Sequence, residues 1–233
     1  MIAPTLYNTN ILLDECKKFA DEYNVIFNSS KTKHIFLTPN DSTPPIITFS
    51  GHIIERVHCD KHLGNIIGNQ HIKENINHCI QKFTVKVNMV CMHFQNLPQE
   101  IIYNLFKTYC MSVYGCQLWD FSHKSTNKLY VTWRKAIRRI LSLPYSTHCE
   151  LLSYICNDIP LLEQLLKRVI NLTKSARSSK NTITNMCYKL ALSGSGSSMS
   201  NNITFLADYF RMNRYDVHAV NVYEFDDVKT YNN

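Results

Sequence analysis

From residue 72 onward, apolar side chains recur with the period of an α-helix over about six turns. The stripe consists of Ile72, Ile76, Cys79, Ile80, Phe83, Val87, Val90 and Phe94. Spacings of three and four residues place such side chains on one face of a helix. Before residue 71, short β-branched and aromatic runs alternate with Gly, Pro, Asn and Ser, a pattern typical of strands and turns. This change of period predicts an α+β fold, with strands first and helices afterwards.

The first 70 residues predict one helix followed by short strands. Residues 9–24 form the helix, which Asn24 ends. Its apolar face consists of Leu12, Cys16, Phe19, Ala20 and Tyr23. Strands are expected at residues 25–27, 33–38 and 61–67, with a turn at residues 39–45. Residues 46–49 and 52–57 predict a hairpin, since Gly51 is free to take a positive φ.

Helices are predicted for most of the chain beyond residue 71. They cover residues 72–96, 98–113, 125–142, 148–156 and 160–178, and Pro98, Pro144 and Pro160 lie near their ends. The inward face of the second of these helices is expected to hold Ile101, Ile102, Leu105, Tyr109, Ser112 and Val113. The Gly/Ser run Ser193–Ser198 is typical of a linker, and it precedes a weak helix at residues 202–214 and a polar, acidic tail.

Positive charge is concentrated in the middle of the chain. The whole sequence carries +7, but residues 68–190 carry +10, whereas residues 1–67 carry −1 and residues 191–233 carry −2. A basic block of this kind favours a surface that meets phosphate groups. The alternative from charge alone is a solvated basic helical surface without a ligand.

Cysteine usage and the N-terminus indicate the compartment. The nine cysteines are irregularly spaced without a CxxC pair, and Met1–Thr5 lacks the basic and apolar regions of a secretory signal. The sequence has no run of ~18 apolar residues that would predict a membrane span. We therefore expect a cytoplasmic or nuclear protein that is not secreted and has no membrane partner.

Sequence motifs of catalysis and metal binding are scarce. The phosphate-binding patterns GxxxxGK(S/T) and GxGxxG and the nucleophile elbow of hydrolases do not occur in the sequence. The nearest approaches to a zinc site are His58, Cys59 and His62, and His148, Cys149 and Cys156. Neither group has paired ligands at finger spacing, so we expect no metal site in this chain.

Two short runs invite a functional interpretation. Lys31 follows Asn28 in a loop between predicted strands, where it could steer a phosphate or donate a proton to a leaving group. The alternative is a polar turn with a solvated lysine. The predicted strand 61–67 contains Leu63 and Gly64, and glycine there permits close approach of a partner. Its alternative is a β-bulge.

The order of these runs resembles the reverse transcriptases of non-LTR (LINE-type) retrotransposons. The matching runs are Leu12-Leu13-Asp14-x-Cys16-x-x-Phe19-Ala20, Phe27-Asn28-x-x-Lys31-Thr32-Lys33, Ile46 to Gly51, and Lys61-x-Leu63-Gly64. The likeness continues through residues 138–144 and 147–152 and covers about residues 1–178. It implies a small palm-sheet remnant at the N-terminus, followed by an all-helical thumb and post-thumb region. The corresponding segments are the palm end at 1–70, thumb helices at 71–122, a post-thumb region at 123–190, and a linker and polar tail at 191–233.

The resemblance also implies that the catalytic aspartates are missing from this chain. In the family, an aromatic-x-Asp-Asp motif lies immediately before a segment like Met1–Thr5. The fingers, the earlier palm and any endonuclease domain are expected to be missing as well. The intact family enzyme uses Mg²⁺ held by palm carboxylates. Here the nearest carboxylates are Asp14, Asp21 and Asp41, so we expect no cofactor and no polymerisation by the chain alone.

The resemblance assigns roles to particular residues. Lys31 would approach the incoming triphosphate and its leaving group, and Leu63 with Gly64 would brace the primer terminus. Contacts with the RNA and DNA backbones of the primer–template are implied for Lys73, Lys82, Lys86, Arg134, Lys135, Arg138 and Arg139. Trp133 is expected in the core rather than stacked on a base.

Other interpretations of the same residues stay open. One is a non-catalytic module that binds RNA or DNA through basic helices, and another is a helical interaction protein without a nucleic-acid role. A remnant of a decayed element is a further alternative. In that case the strand edges would be exposed and the first third of the chain weakly stable.

Overall fold

A computed structural model describes residues 1–37, 46–68, 71–94 and 96–220. The chain divides into two compact units, Met1–His71 and the part from Ile72 onward. Strands lie in the first unit, and most helices lie in the second. The predicted α+β class is therefore confirmed. The turn predicted at residues 39–45 and the acidic tail beyond Val220 lie outside the described residues.

The first unit opens with helix α1 (Leu6–Tyr23). Thr5 caps it, since its side-chain oxygen accepts a hydrogen bond from the Asn8 N–H at 3.2 Å. Asn24 ends it, as predicted. It takes the left-handed conformation and donates its N–H to the Ala20 carbonyl.

The buried face of α1 differs from the predicted one. Leu13 is the buried residue of the helix, whereas Phe19 and Tyr23 stack on each other at the surface, with ring centroids 4.6 Å apart. The reason is the small size of the core that α1 meets, which consists of Leu13, Ile47, Phe49 and Ile54 with Cys16 and Phe36 against it. A core of this size covers one narrow strip of the helix.

Three two-stranded sheets follow α1. Strand β1 (Lys33–His34) pairs in parallel with β4 (Glu55–Arg56). Strands β2 (Thr48–Phe49) and β3 (His52–Ile53) form the predicted antiparallel hairpin around Ser50 and Gly51. Both strands are shorter than predicted, and Glu55–Arg56 pair with β1 instead. Strands β5 (Cys59–His62) and β6 (Asn65–Gly68) form a second antiparallel hairpin. The strand predicted at residues 25–27 is wrong, because this segment has no ladder partner and is irregular.

The strand predicted at residues 61–67 is also corrected, since its centre is a turn. Leu63 and Gly64 form the two-residue connection between β5 and β6, and their φ angles are 48° and 86°. Two consecutive positive φ values are typical of the type I′ turn that joins antiparallel strands. Leucine rarely adopts this conformation, so the residue pattern gave little sign of the turn.

The second unit is built from helices and short 3₁₀ turns. Its helices are α2 (His71–His93, whose first residue belongs to the first unit), α3 (Gln99–Tyr109), α4 (Thr126–Ile140), α5 (Leu151–Ile155), α6 (Leu161–Ser178), α7 (Thr182–Leu192) and α8 (Ser198–Phe210). The 3₁₀ turns are Cys116–Leu118 and Arg214–Ala219, and a third, Ser29–Lys31, lies in the first unit. The five helices predicted between residues 72 and 178 are confirmed with shifted ends.

Two helices near the C-terminal end differ from the prediction. Helix α7 had no predicted counterpart. Helix α8 begins four residues before the weak helix expected from residue 202, because Ser197 of the predicted linker caps it. The Ser197 hydroxyl accepts a hydrogen bond from the Ser200 N–H at 3.2 Å.

One hydrophobic cluster joins the elements of the second unit, from α2 to the 3₁₀ turn Arg214–Ala219. Its fully buried members include Ile76, Phe106, Ile137, Leu166 and Leu206. Trp133 is also buried in this cluster, at 5% exposure, so its predicted core position is confirmed. On α3 the inward face is rotated relative to the prediction. Ile101 and Tyr109 are exposed, because Ile102, Tyr103 and Phe106 take the buried side.

Helix α8 is tied to the α3–α4 connection by a buried amide. Asn202 is 1% exposed, and its Nδ2 donates to the Trp119 carbonyl at 2.5 Å. Its Oδ1 accepts the Phe121 N–H at 2.9 Å. Two backbone groups that would otherwise be buried without partners are thereby satisfied.

Two further features concern the hydropathy of the helices and the state of the cysteines. Within the described ranges, none of the helices has the length and apolar character needed to cross a membrane. All nine cysteines are free thiols.

Candidate nucleic-acid interface

Lys31 lies at the end of a short turn that Asn28 organises. The Asn28 side-chain oxygen accepts hydrogen bonds from the Ser30 hydroxyl at 2.6 Å and from the Lys31 N–H at 3.3 Å. The Asn28 carbonyl accepts from the N–H of Thr32 at 3.1 Å and from its hydroxyl at 2.9 Å. An Asn three residues before Lys31 and a Thr after it therefore fix the backbone and leave the lysine exposed.

Leu63 and Gly64 lie at the tip of the β5–β6 hairpin, also in the first unit. The Leu63 side chain is 78% exposed. A support for a primer terminus would therefore come from an exposed turn rather than from a strand. The remaining predicted contact residues belong to the second unit.

Three cations lie near one thiol on α2. The pKa of the Cys79 thiol is raised to about 11, mainly by burial and also by Cys116, whereas the charges of Lys82, Lys86 and Arg168 act to lower it. Lys82 and Lys86 are on α2, and Arg168 comes from α6. We call these three residues the Cys79 surface. The two lysines differ in exposure, since Lys82 is exposed and Lys86 is half-buried.

Arg134 belongs to the same neighbourhood. The pKa of Tyr130 is raised to about 12, mainly by burial and also by Cys116, whereas the charge of Arg134 acts to lower it. Tyr130 and Cys79 thus share Cys116 as a neighbour. Arg134 itself is half-buried.

Arg138 supports the loop that follows α4. Its Nε and one terminal nitrogen donate to the Thr147 carbonyl at 3.2 and 2.7 Å, and the same terminal nitrogen lies 3.3 Å from the Cys149 sulfur. The guanidinium also lies over the Tyr145 ring, 5.8 Å from its centroid. A planar fork of donors suits this arrangement, and a lysine could not reproduce it.

A second group of cations lies on α4. Arg139 donates from its Nη1 to the Asn88 side-chain oxygen on α2 at 2.5 Å. Lys135 is one turn earlier on the same side of α4, and both residues are exposed. We call Lys135 and Arg139 the Asn88 edge.

The Cys79 surface and the Asn88 edge lie on different sides of α2. Six residues separate Lys82 from Asn88, which places them about 120° apart around the helix. The predicted contact residues therefore form two basic groups rather than one continuous patch. Lys73, exposed in the first turn of α2, belongs to neither group as defined.

A cavity of about 300 Å³ lies beside the Cys79 surface. Arg168 lines it together with Tyr103 and Lys107 of α3, Trp133 of α4, and Asp158 and Gln164. Lys107 pairs with Asp158 at 2.7 Å, and the Tyr103 hydroxyl donates to the same carboxylate at 3.1 Å. These polar groups satisfy one another, so the cavity wall is a structural network.

The carboxylates that the sequence singled out do not converge in the described residues. Asp14 and Asp21 are both exposed on α1, seven residues apart, which corresponds to about 10 Å along the axis. Paired catalytic metal ions lie about 4 Å apart, so their ligands must converge on one place. In the described parts of the chain, no group of three or more His, Cys, Asp or Glu side chains could hold a metal ion. Asp41 lies outside those parts.

Arg168 is the cation that the sequence did not single out. Its two terminal nitrogens donate to the carbonyls of Val113 at 2.6 Å and Met111 at 3.3 Å. They hold the segment after α3 against α6. Its position depends on long-range packing, and a cation in an amphipathic helix carries no local signal of such a partner.

The comparisons with known proteins gave no relative. No family model matches the chain, and no curated protein or solved structure matches it.

Proposed function

We propose that this chain is a fragment of an RNA-directed DNA polymerase of the non-LTR retrotransposon type, which binds primer–template and does not polymerise alone. The observation that carries the proposal is the pair of basic groups on either side of α2, within the block of the sequence that holds the excess positive charge. The order of the motifs from Leu12 to Glu150 supports the choice of family.

Two separated basic groups suit a ligand with two phosphate backbones. Contacts of Lys and Arg with phosphates are mainly electrostatic and independent of sequence. We assign one backbone of the primer–template to the Cys79 surface and the other to the Asn88 edge. Arg138 and Arg168 hold loops through carbonyl contacts, so they position these groups more than they bind phosphate.

Asp14 and Asp21 are not assigned the chemistry of chain extension. Asp14 and Asp21 point from one exposed helix and are too far apart to hold two metal ions. In this proposal Lys31 contacts the incoming triphosphate, and the Leu63–Gly64 turn supports the primer terminus. We place the protein in the cytoplasm or nucleus, where such a ligand is found.

Salt-dependent binding tests the proposal. Fluorescence anisotropy with a labelled DNA primer on an RNA template gives the dissociation constant over a range of salt concentrations. Lys82→Gln with Lys86→Gln, and separately Lys135→Gln with Arg139→Gln, should each weaken binding and lower the salt slope by about 2. The matched control is Lys17→Gln with Lys124→Gln, which removes the same charge from exposed positions outside both groups. Equal losses in all three double variants would contradict the proposal.

Affinity for the junction between primer and template distinguishes a polymerase fragment from a general binding module. A fragment with primer-supporting turns should bind a recessed primer terminus more tightly than a blunt duplex of equal length. Equal affinity for both would favour the module. Primer extension with Mg²⁺ should give no incorporation above background, and incorporation by the purified chain would overturn the claim that it cannot polymerise.

A helical interaction protein is the second candidate, and one observation favours it. Val85, Met89 and Met92 of α2 form an apolar row at spacings of four and three, and they are 58%, 54% and 69% exposed. An exposed row of this kind is typical of helix docking. If Met89→Ser abolishes the binding of a helical partner protein and leaves the affinity for nucleic acid unchanged, the result would support this second function over the first.

A further inference from the structure

Helix α7 has apolar side chains on two opposite faces. Tyr188 and Ala191 are buried on the side that packs into the second unit. Ile183, Met186 and Leu190 recur at spacings of three and four on the opposite side, and they are 72%, 55% and 57% exposed. One face of α7 therefore packs in the core, and the other is an apolar stripe open to solvent.

The surroundings of this stripe are basic. Residues 164–207 contain six Lys or Arg and no Asp or Glu. Burial raises the pKa of Tyr188 on α7, and the positive charge of Arg177 acts to lower it. The Arg177 carbonyl accepts a hydrogen bond from the Asn185 side chain at 2.9 Å. Lys180 and Lys189 are exposed before and within the helix. The chemistry that fits this face is apolar and acidic, and a second copy of the face would be repelled.

The described chain ends close to this face. Lys174 on α6 donates from its Nζ to the Val220 carbonyl at 2.7 Å. Arg177 is one helical turn further along α6. The 3₁₀ turn that leads to Val220 also meets α7, since Arg214 donates to the Ala191 carbonyl at 3.1 Å.

The sequence beyond Val220 has the complementary chemistry. Residues 222–228 read Val-Tyr-Glu-Phe-Asp-Asp-Val, with three carboxylates interleaved with aromatic and aliphatic side chains. Seven residues can span up to about 25 Å, which exceeds the distance of one or two helical turns from Lys174 to Lys180.

We propose that residues 222–228 bind in cis to α7, the acidic side chains on Arg177 and Lys180 and the aromatic ones on the stripe of Ile183, Met186 and Leu190. Opposite charges place the segment, and burial of its aromatic rings against the stripe supplies the favourable free energy. The bound segment covers an apolar surface that would otherwise meet water.

The reactivity of the Cys187 thiol reports whether this contact is formed. It lies on α7 next to Met186 and is exposed, whereas the other eight cysteines are half-buried or buried. The rate of its alkylation by a maleimide, followed by peptide mass spectrometry, measures how often the stripe is uncovered. Cys16 and Cys59 of the first unit serve as internal references.

The test compares the full chain with Glu224→Gln, Asp226→Asn and Asp227→Asn combined. We expect alkylation of Cys187 to accelerate about fourfold if the segment is bound about three quarters of the time. High salt should accelerate it in the full chain and leave the triple variant unchanged, because screening removes the same attraction. The matched control, Asp208→Asn with Asp216→Asn, removes exposed acids outside the segment and should leave the rate unchanged.

Other results would overturn the proposal. Equal rates in the full chain and the triple variant would show that the segment does not cover α7. Protection that grows with protein concentration would assign the stripe to a second copy, and protection only after addition of nucleic acid would assign it to the phosphate backbone. A chain shortened to residue 221 keeps the Val220 amide. It should match the triple variant and regain protection when a peptide of residues 222–233 is added.

Discussion

The buried core of the first unit consists of Leu13, Ile47, Phe49 and Ile54, whereas the second unit has a cluster that extends from Ile76 to Val220. The first unit also leaves large apolar side chains in solvent, including Ile2 at 94% and Ile26 at 95% exposure. Stability grows with the apolar area removed from water. The second unit, with the larger core, is therefore expected to be the more stable of the two.

The candidate interface residues are likewise divided between the two units. Lys31, Leu63 and Gly64 are displayed by turns of the weakly packed unit, and the Cys79 surface and the Asn88 edge are displayed by well-packed helices. Local hydrogen bonds of Asn28 hold the Lys31 turn, so its geometry depends little on a core. This difference predicts that the two units respond differently to mutation, to denaturant and to pH.

The largest expected effect comes from the core of the second unit. Leu166 on α6 is fully buried, and Leu166→Ala should lower the free energy of unfolding by about 3 to 4 kcal/mol through lost burial and a cavity. Trp119 and Trp133 both lie in this unit, so urea denaturation followed by tryptophan fluorescence reports it. Phe49→Ala in the first unit should leave that transition unchanged. A similar shift from Phe49→Ala would show that the two units unfold together.

Asn202→Ala is expected to have the next largest effect. Its removal leaves the Trp119 carbonyl and the Phe121 N–H buried without partners, which should cost about 2 to 3 kcal/mol in the same fluorescence-detected transition. Asn201→Ala is the matched neighbour. It loses one half-buried hydrogen bond to Asp120 at 2.7 Å and should cost less. Equal costs would contradict the role assigned to the buried amide.

Sequence reasoning succeeded where a single face of a helix is buried. The stripes of α2 and α6 predicted both helices, because long runs at spacings of three and four have few alternative structures. Helix α7 was missed because its apolar residues occupy two opposite faces, which blurs the helical period. The strand predicted at residues 25–27 failed because β-propensity alone supplies no pairing partner.

The candidate interface was predictable in composition and much less so in geometry. Exposure of Lys82, Lys135 and Arg139 follows from their place on amphipathic helices. The separation into the Cys79 surface and the Asn88 edge depends on how α2 packs against its neighbours, which one sequence does not specify. The carbonyl contacts of Arg138 and Arg168 depend on chain segments nine and more than fifty residues apart.

Gly68→Ala tests the packing of the first unit. Gly68 has a φ of +129°, and a Cβ there would lie 2.2 Å from the His58 carbonyl oxygen and 2.7 Å from the Cys59 Cα. The clash with backbone should cost about 2 kcal/mol and accelerate hydrogen exchange of the β5–β6 amides. Gly51→Ala shares a positive φ of +80° but meets open space, so it should cost less. A change in the tryptophan-detected transition of Gly68→Ala would contradict the separation of the two units.

The smallest expected effect is a pH dependence confined to the first unit. Burial lowers the pKa of His34 below its ordinary 6.5, and the Arg56 guanidinium on the neighbouring strand lowers it further. The unfolded chain then binds a proton more readily than the folded one, so the neutral imidazole contributes stability that is fully present above pH 6.5. As the pH falls from 7 through 6.5 towards the lowered pKa, this stability is lost. Hydrogen exchange of the β1 and β4 amides should accelerate after correction for the intrinsic pH effect, and His34→Gln should remove most of that acceleration. Acid-dependent exchange that persists in His34→Gln, or that is equally strong in α6, would contradict the assignment to this histidine.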